Sequence, residues 1–266
     1  MVPHPDGPAP NSDSQTKSAR EGWPAFLPGK GHVALGQSAP HGVVTVPAAA
    51  VPESSTRSSG MQVTRLLYGG WLACRSDFVD PLVAGHLAHA LLDQVCFEQR
   101  SIRLFGRSVA QPRLVAWAGE LPYRYSGQTL EPRARPECLQ ELWHRLERAA
   151  GVRFNHVLIN RYRNGNDSMG WHADDEPELG RDPPIASVSL GQERRFVLRP
   201  RARQSGLRQR PLELRLTHGS LLIMGGSLQH HYQHSVPRQK HCCGERLNLT
   251  FRRLLRAPAP APRALP

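Results

Sequence analysis

The chain has 266 residues, a hydrophobic content of 39% and a formal net charge of +12 at pH 7. That composition supports a packed core, while no run approaches the roughly 18 to 20 apolar residues needed to span a bilayer. The opening "MVPHPDGPAP" lacks the basic-then-apolar order of a secretory signal, so the expectation is an unsecreted monomer, cytoplasmic in a bacterium or nuclear in a eukaryote.

Residues 1–60 are rich in Pro, Gly, Ser and Ala and show no sustained apolar period, which reads as a disordered tail. Within them Lys17, Arg20, Lys30 and Arg57 cancel Asp6, Asp13, Glu21 and Glu53, so the positive excess belongs to the rest of the chain. Such an excess favours a polyanionic partner, most simply nucleic acid, through phosphate contacts and counterion release. Residues 61–256 form one domain on this reading, and the closing "APAPAPRALP", 257–266, is a second disordered, Pro-rich tail. The five cysteines are odd in number and show no CxxC spacing, which argues against a disulfide framework or a structural zinc site.

In "DPLVAGHLAHALLDQV" Asp80 is placed to cap a helix and Pro81 to open its first turn. "PECLQELWHRLERAAG" sets Leu139, Leu142, Trp143 and Leu146 on one helical face and stops at Gly151. Downstream the period changes to two: "FNHVLINRY", "PIASVSLG", "RRFVLRP", "LELRLTHG", "SLLIMGG", "HYQHSV" and "RLNLTFR" are short, alternating and bounded by turn formers. Helices followed by many strands predict an α+β fold. Its closed form is a double-stranded β-helix (jelly roll) braced by N-terminal helices on one face.

The stretch "MGWHADDEPELG" crowds Asp174, Asp175, Glu176 and Glu178 beside His172 in an otherwise basic chain. His172 and Asp174 are two apart and share a face in extended backbone. "HHYQHSVP" offers His230, His231 and His234 as a further ligand from another strand. Two imidazoles and a carboxylate on one side of an ion suit non-haem Fe(II) with open positions opposite; the competing reading is a solvated acidic loop and a solvated His run. In "RLNLTFR", Leu247, Leu249 and Phe251 line one face, and Arg246, Asn248, Thr250 and Arg252 the other. The two arginines lie roughly 20 Å apart along an ideal strand, within reach of a small dicarboxylate if their side chains converge. The alternative is an edge strand with solvated arginines. Asn160 and Tyr162 share a face of "LINRY" and can donate to the same anion.

Taken together, "LINRYRNGNDSMGWHADDEPELG…PIASVSLGQERRFVLR", "HGSLLIMGG…HHYQHSVP" and "RLNLTFR" resemble the AlkB-type Fe(II)/2-oxoglutarate dioxygenases, which oxidatively dealkylate nucleic acids. The resemblance covers about residues 100 to 256 and is closest to the duplex-DNA-acting members. It implies that His172, Asp174 and His234 bind Fe(II), with "HSVP" selecting His234. It implies a 2-oxoglutarate site of Asn160, Tyr162, Arg246, Asn248 and Arg252, with O2 as the second cosubstrate. On the substrate side it implies that Asp175 and Glu176 read the amino edge of a methylated base, that Tyr123 and Tyr125 contact or stack on it, and that Phe105 is an apolar finger entering the vacated base stack. Glu178 matches no role and is expected in solvent. Arg199, Arg201, Arg203, Arg208, Arg210, Arg215, Arg238 and Lys240 are candidate phosphate contacts. The implied reaction is demethylation of N1-methyladenine- or N3-methylcytosine-type lesions in DNA with a flipped base, releasing formaldehyde, succinate and CO2. Competing expectations are an oxygenase of the same fold acting on RNA, tRNA or a protein side chain, and a non-catalytic nucleic-acid-binding jelly roll.

Overall fold

A computed structural model describes residues 60–104, 106–125, 127–201 and 210–255. The expected tails, apart from Gly60, and the candidate finger Phe105 lie outside the described residues. In chain order the elements are β1 (Gln62–Arg65), β2 (Trp71–Arg75), α1 (Pro81–Gln94), β3 (Ser101–Leu104), β4 (Arg107–Ala110), β5 (Leu114–Gly119), β6 (Tyr123–Tyr125) and β7 (Gln128–Leu130). There follow α2 (Gln140–Ala150), β8 (His156–Tyr162), β9 (Met169–His172), β10 (Ile185–Gly191), β11 (Arg194–Pro200), β12 (Leu212–Leu216), β13 (Leu221–Gly225), the short α3 (Leu228–His231), β14 (Tyr232–Val236) and β15 (Arg246–Arg252).

Two antiparallel sheets carry the fold: a seven-stranded one ordered β1-β2-β13-β10-β15-β8-β5 and a four-stranded one ordered β12-β11-β14-β9. The large sheet is buried on both faces because alternate residues serve two clusters, although β15 turns Arg246, Asn248, Thr250 and Arg252 to the inner one. Leu247, Leu249 and Phe251 of β15 join Val157 and Ile159 of β8 against Leu87 and Leu91 of α1 and Leu142, Trp143 and Leu146 of α2. The opposite parity, including Leu158, Tyr162, Leu222 and Met224, meets Phe196, Leu198, Tyr232 and Val236 of the small sheet. The result is the expected jelly roll with both helices on one outer face.

The helices end where local chemistry dictates. Asp80 accepts from the amides of Leu82 and Val83 at 2.9 and 3.3 Å, satisfying first-turn donors that the helix itself leaves unpaired. Gly151 closes α2 in the left-handed region at φ 67, where a Cβ would be strained. Trp143 docks α2: its Nε1 donates to Phe154 O at 3.1 Å, and its ring meets Phe251 edge-on at 5.0 Å. A helix contact thereby fixes the residue next to Arg252.

One expectation of order is corrected. Strands β1 and β2 precede α1, and β3 to β7 separate the two helices. β2 enters the large sheet beside β13, and β5 forms its far edge beside β8. These strands escape a period-two reading because β5 is apolar throughout its centre and β4 is exposed throughout.

Candidate active site

Pairing of β9 with β14 sets His172 directly opposite His234, and the two rings sit 4.2 Å apart between centroids. His172 Nδ1 lies 2.9 Å from Gly170 O. A carbonyl can only accept, so Nδ1 carries the proton and Nε2 keeps its lone pair. Asp174 follows just beyond β9. Its amide donates to Gln229 Oε1 at 3.0 Å, its Oδ1 accepts from Arg252 Nη2 at 2.9 Å, and its Oδ2 stands 4.0 Å from His234 Nε2. Ligand atoms of His172, Asp174 and His234 all fall within 4.8 Å of one another, the single such His/Cys/Asp/Glu group among the described residues. The other two candidate histidines belong to α3: His230 faces Asp182 at 3.2 Å, and His231 packs its ring on Tyr68.

The charges favour metal ligation. Burial would raise Asp174, but Arg252 and the two imidazoles outweigh it and bring the pKa to about 2. Burial, reinforced by His172, lowers His234 to about 3, and burial also lowers His172. At neutral pH the group is therefore one carboxylate and two neutral imidazoles, the state in which these side chains bind a cation.

Arg246 and Arg252 are both buried on β15, between β10 and β8, which excludes the edge-strand reading. They do not converge as expected and share no partner. Arg252 is committed to Asp174; burial would lower its pKa, yet Asp174 raises it. Arg246 donates through Nη2 to Ser189 Oγ at 2.9 Å and lies over the Tyr162 ring at 5.2 Å, while its Nε and Nη1 have no partner. Among the described residues it pairs with no carboxylate. Burial lowers its pKa to about 10, still cationic at neutrality. Asn160 is opposite Asn248 in the register and accepts from Arg113 Nε at 2.7 Å. Asn248 is turned the other way in its bonding, its Nδ2 donating to Ser187 Oγ and Val188 O at 2.7 and 3.2 Å.

On the remaining side, Tyr123 and Tyr125 are buried in the inter-sheet core with centroids 5.9 Å apart. The Tyr123 hydroxyl is buried near Glu176, and its ring sits under Arg252. The two adjacent acids diverge. Asp175 points outward to an ion pair with Arg201, whereas Glu176 is half-buried, with Oε2 unpartnered. Burial first, then the charge of Asp174, raises Glu176. Glu178, expected in solvent, is half-buried, and its Oε2 is enclosed without a partner. Of the basic candidates, Arg203 and Arg208 lie outside the described residues; Arg238 and Lys240 are exposed, and Arg215 pairs with Glu193 at 3.2 Å.

Three residues absent from the sequence reading hold this arrangement. Arg113, buried at the start of β5, bridges Asn160 and the Tyr125 hydroxyl at 2.7 and 3.2 Å. Gln229 fixes the Asp174 backbone. Arg194 is fully buried and donates to Asn164 O, Asp167 O and Pro237 O at 3.1, 2.8 and 2.8 Å, tying the segment before β9 to the segment after β14. Each stands next to other polar residues or at the edge of an apolar run, so the sequence around it does not mark it as buried.

A family model described as the 2OG-Fe(II) oxygenase superfamily matches residues 72–252. The chain is 43% identical over 190 residues to the human alpha-ketoglutarate-dependent dioxygenase alkB homolog 3, covering 70% of this chain and 66% of that protein. It is 42% identical over 193 residues to the mouse protein of the same name, covering 70% and 67%. It is also 42% identical over 159 residues to the bovine DNA oxidative demethylase ALKBH2, covering 58% and 57%. The aligned region thus spans about two thirds of the length of the first relatives, and less of the third. The chain belongs to the 2OG-Fe(II) oxygenase superfamily and, within it, to the AlkB type.

Proposed function

We propose that residues 61–256 form an oxidative demethylase of N-alkylated bases in nucleic acid, with DNA carrying N1-methyladenine or N3-methylcytosine as substrate. The observation that carries the proposal is a His–Asp–His group together with Arg246, buried on the same strand as the Asp174 partner Arg252 with its Nε and Nη1 unpartnered, and the acid Glu176 near Asp174 and Tyr123. Relatives named as an alpha-ketoglutarate-dependent dioxygenase and as a DNA oxidative demethylase support the same reading. The donor set fits ferrous iron: two neutral imidazoles and one ionised carboxylate, with Arg252 occupying the second carboxylate oxygen so that Asp174 offers Oδ2.

Iron, 2-oxoglutarate and dioxygen together supply the oxidation, in which the N-methyl group is hydroxylated and lost as formaldehyde while 2-oxoglutarate leaves as succinate and carbon dioxide. The chain's own residues hold the reactants. Arg246, whose Nε and Nη1 are unpartnered, would hold the distal carboxylate of 2-oxoglutarate, with Tyr162 and Asn160 as further candidates to hold the same anion. Arg252 holds Asp174 ionised and oriented. Tyr123, Tyr125 and Glu176 receive the base, which must leave its stack to reach them. Burial and, after it, the charge of Asp174 raise Glu176, and a cationic methylated ring would offset the second of these. Asp175 reaches the base only if it exchanges its Arg201 partner.

Matched methylated DNA and RNA oligonucleotides, single- and double-stranded, test the proposal. Formaldehyde and succinate should appear together from DNA, and His172→Ala should abolish both. Activity that survives His172→Ala would end the iron assignment; RNA turned over in preference to DNA would overturn the substrate.

A further inference from the structure

Side chains of the small sheet that point away from the triad build a second surface. Trp171 immediately precedes His172, faces the other way, and is 39% exposed. Arg199 lies over its ring at 4.0 Å and is steadied by Gln233 Oε1 at 3.3 Å. Trp171, Gln233 and Arg199 thus form a row across β9, β14 and β11, with Arg199 and Gln233 paired in the register. The acids around the row are already used: Glu213 pairs with Arg195, Glu193 with Arg215, and Asp175 with Arg201. Arg199 is the arginine of this group whose partners are neutral, an amide and an indole.

We propose that Trp171 and Arg199 form a stacking platform for an unpaired base flanking the target nucleotide, with the Arg199 guanidinium also meeting the adjacent phosphate. The proposal rests on the nucleic-acid reading above and extends it to a contact outside the pocket. An aromatic face needs only a π-surface opposite, so the platform is indifferent to sequence. The guanidinium stacked on one side fixes the ring before binding, which lowers the ordering cost. Trp171 and Asp175 are four residue steps apart, a span of at most about 14 Å, so one short strand can serve both. A protein ligand would want a broader apolar patch, and Trp171 is the large exposed hydrophobic of this face.

The test measures binding of an unmodified single-stranded oligonucleotide by the protein loaded with Mn(II) and 2-oxoglutarate, together with formaldehyde release from a methylated mononucleotide too short to reach the platform. Trp171→Ala should weaken oligonucleotide binding roughly 5- to 100-fold, Trp171→Phe should retain most of it, and mononucleotide turnover should persist in both. Arg199→Ala, two strands from His172, should lower affinity and reduce the salt slope by roughly 0.7. Oligonucleotide affinity unchanged in both Trp171→Ala and Arg199→Ala overturns the platform, as does a loss in Trp171→Ala that Arg199→Ala does not share. Wild-type protein that binds oligonucleotides through this surface but releases no formaldehyde from any methylated substrate leaves the platform standing and removes the demethylase reading instead.

Discussion

Replacing Arg246 with methionine should stabilise the cosubstrate-free protein and abolish tight binding of 2-oxoglutarate. The two effects come from the same feature. The guanidinium is 1% exposed, makes one hydrogen bond to Ser189, and leaves Nε and Nη1 without partners. Burial lowers its pKa from 12.5 to about 10, a penalty of roughly 3 kcal/mol at about 1.4 kcal/mol per pH unit. Methionine removes that penalty and keeps much of the volume, at the loss of one hydrogen bond worth about 1 kcal/mol. A net gain of about 2 kcal/mol raises the melting temperature by roughly 4 to 8 °C in a domain of this size. With 2-oxoglutarate the sign reverses, since breaking a buried ion pair costs about 3 to 5 kcal/mol, or roughly 10²- to 10⁴-fold in affinity. Thermal melts with and without 2-oxoglutarate, beside calorimetric titration in Mn(II), report both. A variant less stable than wild type without cosubstrate, yet binding 2-oxoglutarate normally, would refute the assignment.

The other arginine of β15 should behave oppositely. Arg252→Met strands the buried Asp174 carboxylate, so the metal-free protein should lose about 3 kcal/mol in a denaturant titration, and Mn(II) affinity should fall about 10- to 100-fold; a variant as stable as wild type would sink this. His156 is buried against Tyr123 with both ring nitrogens unpartnered, and burial followed by Arg252 lowers its pKa from 6.5 to about 3. Because the folded pKa is the depressed one, its contribution is complete above about pH 6.5 and is lost as pH falls toward 3, at up to about 1.4 kcal/mol per unit. His156→Phe should flatten the metal-free stability profile between pH 6.5 and 4.5 by that share; equal slopes in the two proteins would show that His156 is not buried neutral.

How much of this was readable beforehand depends on how local each signal is. The alternation in "RLNLTFR" separates core from site side chains within seven residues, and β15 keeps that division, with Phe251 on the helices and Arg252 on Asp174. What the alternation does not show is that strand twist and packing send Arg246 and Arg252 to different partners. Spacing likewise left His230, His231 and His234 open. The choice is made by the turn of α3, which ends at His231 and restarts extended backbone at Tyr232, so that only His234 meets His172 across a strand pair. Arg113 and Gln229 were invisible for another reason: their partners lie 47 and 55 residues away, and nothing in a short window distinguishes a buried polar hub from a surface one.

The acidic run in a basic chain is resolved by direction rather than by composition. Asp174 turns inward to Arg252, Asp175 outward to Arg201, and Glu176 back toward Tyr123. Two of the three charges are therefore compensated by arginines before any ligand arrives, and the third is held in a half-buried place where its ionised form is disfavoured. A polyanion approaching this rim meets little net repulsion, because the acids nearest solvent are paired. On the proposed reading, a cationic ring beside Glu176 would favour its ionised form, and low local polarity would strengthen that contact. If the proposed function holds, the same loop would admit a phosphate backbone and still favour a positively charged base, the two parts of the substrate approaching different sides of it.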